Sequence, residues 1–209
     1  MKEYSWPNPL EEAPWDVKAP KLPRELVHAV GAVVIAWTHC ENMQLGILRE
    51  LSGFGFGGPS DFRVGSSIFE PMGNRQRSEL LAGLIEETNP PEPLKSLLEA
   101  FHAQFNTCLT NRNLVAHALF IDEDEGTLIQ SSKSHPKIQH RYIPSDAAFW
   151  ELTIVEIRRL ADFGLGILDS PFYRPRLSPW PDIPPKPRNL ASILPIHIVE
   201  RAQLQSSGE

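Results

Sequence analysis

Between Arg24 and Ser52 the apolar residues Leu26, Val30, Val33, Val34, Trp37, Leu45, Leu48 and Leu51 recur at the spacing of one helix face. At 3.6 residues per turn this is a stripe of about eight turns, and Gly53 closes it as a C-cap candidate. Two further stripes follow. Residues 75–88 place Leu80, Leu81, Leu84 and Ile85 on one side, and a helix from about Pro93 to Ala116 carries Leu94, Leu97, Leu98, Phe101, Phe105, Cys108 and Leu109. A last helix is predicted from Pro144-Ser145-Asp146, with Ser145 as N-cap candidate, through Phe149, Leu152, Val155, Leu160 and Phe163 to about Leu168. Residues 53–74 are rich in glycine, but no Lys follows at P-loop spacing and no strand precedes. They read as an interhelical connection, helical in part, with Ile68 and Phe69 tucked beneath it.

Apolar Leu119-Phe120-Ile121 and Thr127-Leu128-Ile129 flank the acidic turn Asp122-Glu123-Asp124-Glu125-Gly126, the pattern of a β-hairpin. Lys137 to Ile143 adds a third extended piece. The carboxylates lack EF-hand spacing and read as a solvated turn. The expected fold is therefore mainly α: a bundle of four to five helices with a small inserted β-hairpin at about 118–143 and irregular Pro-rich termini. The chain's 20 prolines gather at its two ends. Residues 1–22 read as an irregular arm that lays Trp6 and Trp15 on the body, and 23–169 as the helical domain. Residues 170–209 read as a basic tail, with Arg174, Arg176, Lys186 and Arg188 against Asp182. Either this tail is a polyproline ligand for a partner or it is a strap packed on its own domain.

Composition narrows the function classes. A hydrophobic fraction of 41% and a charged fraction of 22% in 209 residues exclude global disorder. No apolar run reaches a membrane span, and residues 1–20 carry Glu3, Glu11 and Glu12 but no apolar core of a secretory signal. Cys40 and Cys108 sit in helical patterns and form no disulfide framework, so a cytoplasmic location is expected. A net charge of −6 argues against coating duplex DNA by counterion release, though not against a local site. No cluster with metal-ligand spacing stands out, and neither a metal nor a cofactor is expected.

The third long helix ends in Arg112-Asn113-Leu114-Val115-Ala116-His117, which packing alone does not explain. Arg112 follows Cys108 by one turn on the apolar stripe, and an unpaired buried charge costs several kcal/mol, of order 3–5. Four residues beyond Trp37 on the first stripe stands Glu41, so each long helix carries one charge of opposite sign on its inner face. An ion pair between Glu41 and Arg112 is expected. On the plain structural alternative, that pair is the whole story and His117 merely caps a helix C-terminus.

The hexapeptide RNLVAH resembles the R-x(4–6)-H motif, with a polar residue directly after the Arg, of the HEPN (higher eukaryotes and prokaryotes nucleotide-binding) domains. Of the seven histidines, His117 alone stands at that distance after an arginine. The surroundings are similar over about residues 24–168: a long first helix with an inward acid, a helical pair, the motif ending the third long helix, and a closing helix. The resemblance implies a bundle that often pairs as a homodimer, with the two motifs approaching each other. Many such proteins are metal-independent endoribonucleases of toxin–antitoxin or other defence systems; others are inactive binding modules. It carries catalytic roles to Arg112, Asn113 and His117, with Glu41 as orienting acid, and names RNA and an antitoxin or other protein as partners. Some HEPN toxins have a tyrosine two or three positions after the His, where this chain has Leu119 and Phe120.

Those residue types suit the chemistry. RNA cleavage through its own 2′-hydroxyl requires protons to be moved and charge to be stabilised. A histidine titrating near neutrality moves protons, an effect typically worth about 10²–10⁴ in rate. A planar guanidinium matches a phosphorane. One imidazole serves poorly as both base and acid, so two facing protomers make chemical sense. The competing reading is a catalytically inactive HEPN-like module that binds a nucleotide, nucleic acid or protein. Access to His117 separates the two.

Overall fold

The computed structural model describes residues 24–55, 59–117, 119–120, 128–134, 137–144, 146–174 and 179–200. The arm with Trp6 and Trp15, the acidic turn 122–125 and Ser145 lie outside them. The chain is mainly helical. Helices α1 (Arg24–Leu51), α2 (Pro59–Phe69), α3 (Asn74–Thr88) and α4 (Leu94–Ala116) precede strands β1 (Leu119–Phe120), β2 (Leu128–Ser134) and β3 (Lys137–Ile143). Helix α5 (Ala147–Leu168), the single turn α6 (Leu190–Ile193) and strand β4 (Ile196–Glu200) complete the order.

Helices α1 and α5 pack parallel through small residues. The Cys40 thiol donates to the Ile157 carbonyl at 3.1 Å, and one helix turn further on Met43 lies against Gly164. A Cβ at Gly164 would stand 2.7 Å from Met43 Cβ and 2.8 Å from Phe101 Cε2, so glycine lets three helices meet there. Helix α4 runs antiparallel to α1: the Trp37 and Phe105 rings lie 4.7 Å apart, while Phe101 shares the Gly164 contact with Met43. Phe101 also faces Phe163 at 6.3 Å, which makes these aromatics the centre of the core. Among the described residues, no helix is long and apolar enough to cross a membrane.

Two local expectations change. The N-cap of α5 is Asp146, whose carboxylate accepts from the Ala148 and Phe149 amides; the carboxylate reaches two orphan donors at once. The glycine-rich connection is helical in part, as expected, through the 11 residues of α2; what changes is the packing of its end. Its Phe69 is buried but Ile68 is exposed. Arg77 closes its C-terminal end by donating to the Phe69 and Glu70 carbonyls, and Arg49 stacks over the Phe62 ring at 4.3 Å.

The strands form one antiparallel sheet in the order β1-β2-β3-β4. The expected pairing of 119–121 with 127–129 is present as Leu119 opposite Ile129 and Phe120 opposite Leu128. The longer hairpin is β2–β3, from Leu128 opposite Ile143 to Ser134 opposite Lys137. Ile143 is buried and Tyr142 exposed, so the sheet turns one face to the body.

Of the two readings of the C-terminal segment, residues 179–200 follow the strap. Gln104 Nε2 donates to the Pro184 carbonyl at 3.1 Å. Asn111 grips the strap twice: its Nδ2 donates to the Arg188 carbonyl at 2.6 Å, and its Oδ1 accepts from the Leu190 amide at 2.9 Å. Arg188 pairs with Glu156 at 2.9 Å and donates to the Thr153 hydroxyl at 3.1 Å. The strap then enters the sheet as β4, with Arg141 opposite Ile196 and Lys137 opposite Glu200.

Candidate functional site

Helix α4 keeps its i→i−4 ladder to its last turn, and His117 is its C-cap residue, its amide bonded back to the Asn113 and Val115 carbonyls. The stripe that α4 buries there runs Phe101, Gln104, Phe105, Cys108, Asn111, Leu114 and Val115. Asn111, 1% exposed, takes the inward place that the four-residue step from Cys108 suggested for Arg112. Arg112 lies about 100° further round the helix and is half-buried.

The expected Glu41–Arg112 ion pair is not formed. The Glu41 carboxylate instead accepts from Asn74 Nδ2, at the start of α3, at 2.6 Å. The reason is the antiparallel setting of α1 and α4. With Trp37 against Phe105 and Met43 near Phe101, the step from Trp37 to Glu41 leads along α4 towards Phe101 and away from Arg112.

Arg112 Nη1 donates to Asn113 Oδ1 at 3.1 Å, while its Nε is buried without a partner. Among the described residues no carboxylate is within salt-bridge distance of it. Asn113 is half-buried and His117 exposed. The end of α4 thus carries a guanidinium that no described carboxylate neutralises, braced by an amide and followed five residues later by an accessible imidazole. A guanidinium can hold an anion and an imidazole can exchange a proton; a five-residue step sets the two side chains about 140° apart round the helix. None of the four described cavities is lined by these residues; the largest, about 450 Å³, lies between the N-terminal halves of α1 and α5.

The thiols are removed from nucleophilic chemistry at neutral pH. Burial pushes Cys108 up to about 12 and Cys40 higher still, and a protonated thiol is a poor nucleophile. Among the described residues no group of three His, Cys, Asp or Glu side chains is placed to hold a metal ion.

Sequence reasoning passed over three anchors: Gln104 and Asn111, which hold the strap, and Arg188, which pins it to Glu156. The signal for two of them was present, because Gln and Asn seven residues apart on an apolar stripe need polar partners inside. No family model matches this chain, and no curated protein or solved structure matches it either.

Proposed function

We propose that this protein is a HEPN-type, metal-independent endoribonuclease of a toxin or defence kind that cuts single-stranded RNA through attack by the 2′-hydroxyl. Arg112 receives the phosphate charge, His117 moves the proton, and Asn113 orients Arg112. The observation that carries the reading is a guanidinium at the end of α4 that no described carboxylate neutralises, with an exposed imidazole five residues further along the chain. Glu41 bonds to Asn74 and has no orienting role towards Arg112 in this reading. A homodimer supplies a second imidazole, so that one acts as base and the other as acid; an antitoxin would act by covering this end of the bundle.

A second reading, a HEPN-like module that binds without cleaving, is favoured by the lack of a described cavity at Arg112 and His117. Purified protein with mixed-sequence RNA and EDTA decides between them. Cleavage should leave 2′,3′-cyclic phosphate ends and fall about 100-fold or more in His117→Ala, the usual loss of an acid–base group. Equal residual cleavage by both proteins would mean a contaminant. No cleavage by either favours the binding module.

A further inference from the structure

Helix α4 runs antiparallel to α1, so the end of the bundle where α1 stops is the one opposite to Arg112 and His117. A cavity of about 290 Å³ opens there. Its walls come from the last turn of α1 (Glu50, Leu51), from the end of α3 and its cap (Thr88, Asn89), and from Phe172 and Tyr173 just after α5. Two helix C-termini thus meet at one cavity, each with a partial charge of about −0.5 on its last carbonyls. The last turn of α3 holds no basic residue. Arg49, in the last turn of α1, is engaged on the side of α2, with Glu70 at 3.6 Å and the Phe62 ring beneath it.

Glu50 adds a full charge to these partial ones. It is half-buried, and its Oε2 is buried with no hydrogen-bond partner. Among the described residues no Lys, Arg or His lies within salt-bridge distance of it. Arg174, which acts on Glu50 from further off, pairs with Asp169 at 2.9 Å, and Lys95 donates to Asn89 Oδ1 at 3.2 Å. Burial holds the Glu50 carboxyl above its ordinary value, and Arg174 opposes this more weakly. A carboxyl raised in this way gains from a cation brought beside it. The cavity therefore favours a positive guest and repels an anion.

The remaining walls narrow the kind of cation. Phe172, 45% exposed, and Tyr173 set their rings 5.0 Å apart at 89°, two sides of a corner. Pro90 and Pro91 line the cavity as well, and a proline has no N–H to offer. A bare ammonium is compact and strongly hydrated, and would give up water against rings and prolines. A methylated ammonium spreads its charge over methyl groups that pack on aromatic faces, which is the chemistry that aromatic rings recognise beside a carboxylate.

We propose that the cavity between the ends of α1 and α3 and the Phe172–Tyr173 pair binds a methylated ammonium group, with Glu50 as its counter-ion and the two rings as walls. The site is independent of the ribonuclease reading. Choline and a short peptide with trimethyl-lysine carry the same head group, one as a free small molecule and the other as part of a protein. Full-length protein is titrated with each by calorimetry. The controls are dimethylbutanol, the uncharged isostere of choline, and the unmethylated peptide. At least one of the two cations should bind about tenfold or more tighter than its control. Binding of choline assigns the guest to small molecules, and binding of the peptide alone assigns it to a modified protein. Glu50→Gln and Phe172→Leu should each weaken binding about tenfold. Glu87→Gln, an exposed acid on α3 outside the cavity, should leave it unchanged.

Glu50→Gln removes a half-buried charge that has no partner, so it should melt no lower than the wild-type chain, and its loss of binding is then not a loss of fold. Failure of both cations to bind at millimolar concentration overturns the proposal. So does binding of each control as tightly as its cation, or an unchanged affinity in Glu50→Gln. An equal loss in Glu87→Gln would reduce the effect to general attraction by an acidic surface and overturn it as well.

Discussion

Ser78, Asn106 and His102 form a chain of bonds whose direction can be read from one end. The Ser78 hydroxyl donates to Asn106 Oδ1 at 2.6 Å, which leaves Asn106 Nδ2 to face His102 Nε2 at 3.1 Å. That nitrogen must accept, so the imidazole is neutral with its proton on Nδ1. Burial holds His102 below the ordinary imidazole value, and a bond to the Ser78 backbone opposes this more weakly. The sign for stability follows. As pH falls through about 6.5 the unfolded chain protonates this histidine while the folded chain resists, so the unfolded state binds more protons. The contribution is complete above pH 6.5 and is lost as pH falls towards the folded value. Melting temperature should thus drop between pH 7 and pH 5, and His102→Gln should drop less over the same range. Parallel pH profiles for the two proteins would show that His102 is not the group that titrates.

At the scale of elements, the pair between the strap and α5 is the joint most open to a single substitution. Arg188 contacts Glu156 through its Nε and its backbone amide, bonds to the Thr153 hydroxyl and lies 5.4 Å from the centre of the Phe149 ring. The Glu156 side chain is only 9% exposed, so Arg188→Ala would leave a nearly buried carboxylate with no cation. A loss of about 3–5 kcal/mol is expected on that ground, measured by urea unfolding. Arg188→Ala combined with Glu156→Leu should recover much of it, because the stranded charge is then gone. The helices themselves were legible in the sequence, since apolar residues at period 3.6 need only their own neighbours to be recognised. What escaped was non-local. Residues 179–189 take no regular structure, and their bonds go to Gln104, Asn111 and Glu156 far back in the chain. Strand β4 is five residues long, and its β-branched Ile196, Ile198 and Val199 are a strand signal that was passed over in a segment read for its prolines. The failed pairing of Glu41 with Arg112 is non-local in origin: each helix face was read correctly to within a residue, but the direction in which two faces meet is a tertiary fact.

For the whole molecule, the strap ties α4, α5 and the sheet together. It crosses α4 at Gln104 and Asn111, meets α5 at Glu156, buries Leu190 and Leu194, and enters the sheet as β4. Arg141 of β3 donates back to the Ala191 carbonyl, so sheet and strap hold each other. Removing residues 179–209 would strip β3 of its outer partner and leave an unpaired strand edge open to other chains. It would also leave the side chain of Asn111 and the carboxylate of Glu156 without their partners, at about 1–3 kcal/mol for an unsatisfied buried polar group and more for the charge. Native domains are stable by only about 5–15 kcal/mol, so the sum is comparable with the total. The chain ending at Ser178 should therefore melt far below the full-length protein or accumulate as aggregate. The full-length protein should unfold in one transition that includes the strap, because its bonds reach both α4 and α5. Calorimetry of the two proteins checks this. A truncated chain that melts within a few degrees of the intact one would reduce the strap to an appendage, and α4 would then need another means of holding Arg112 and His117 in place.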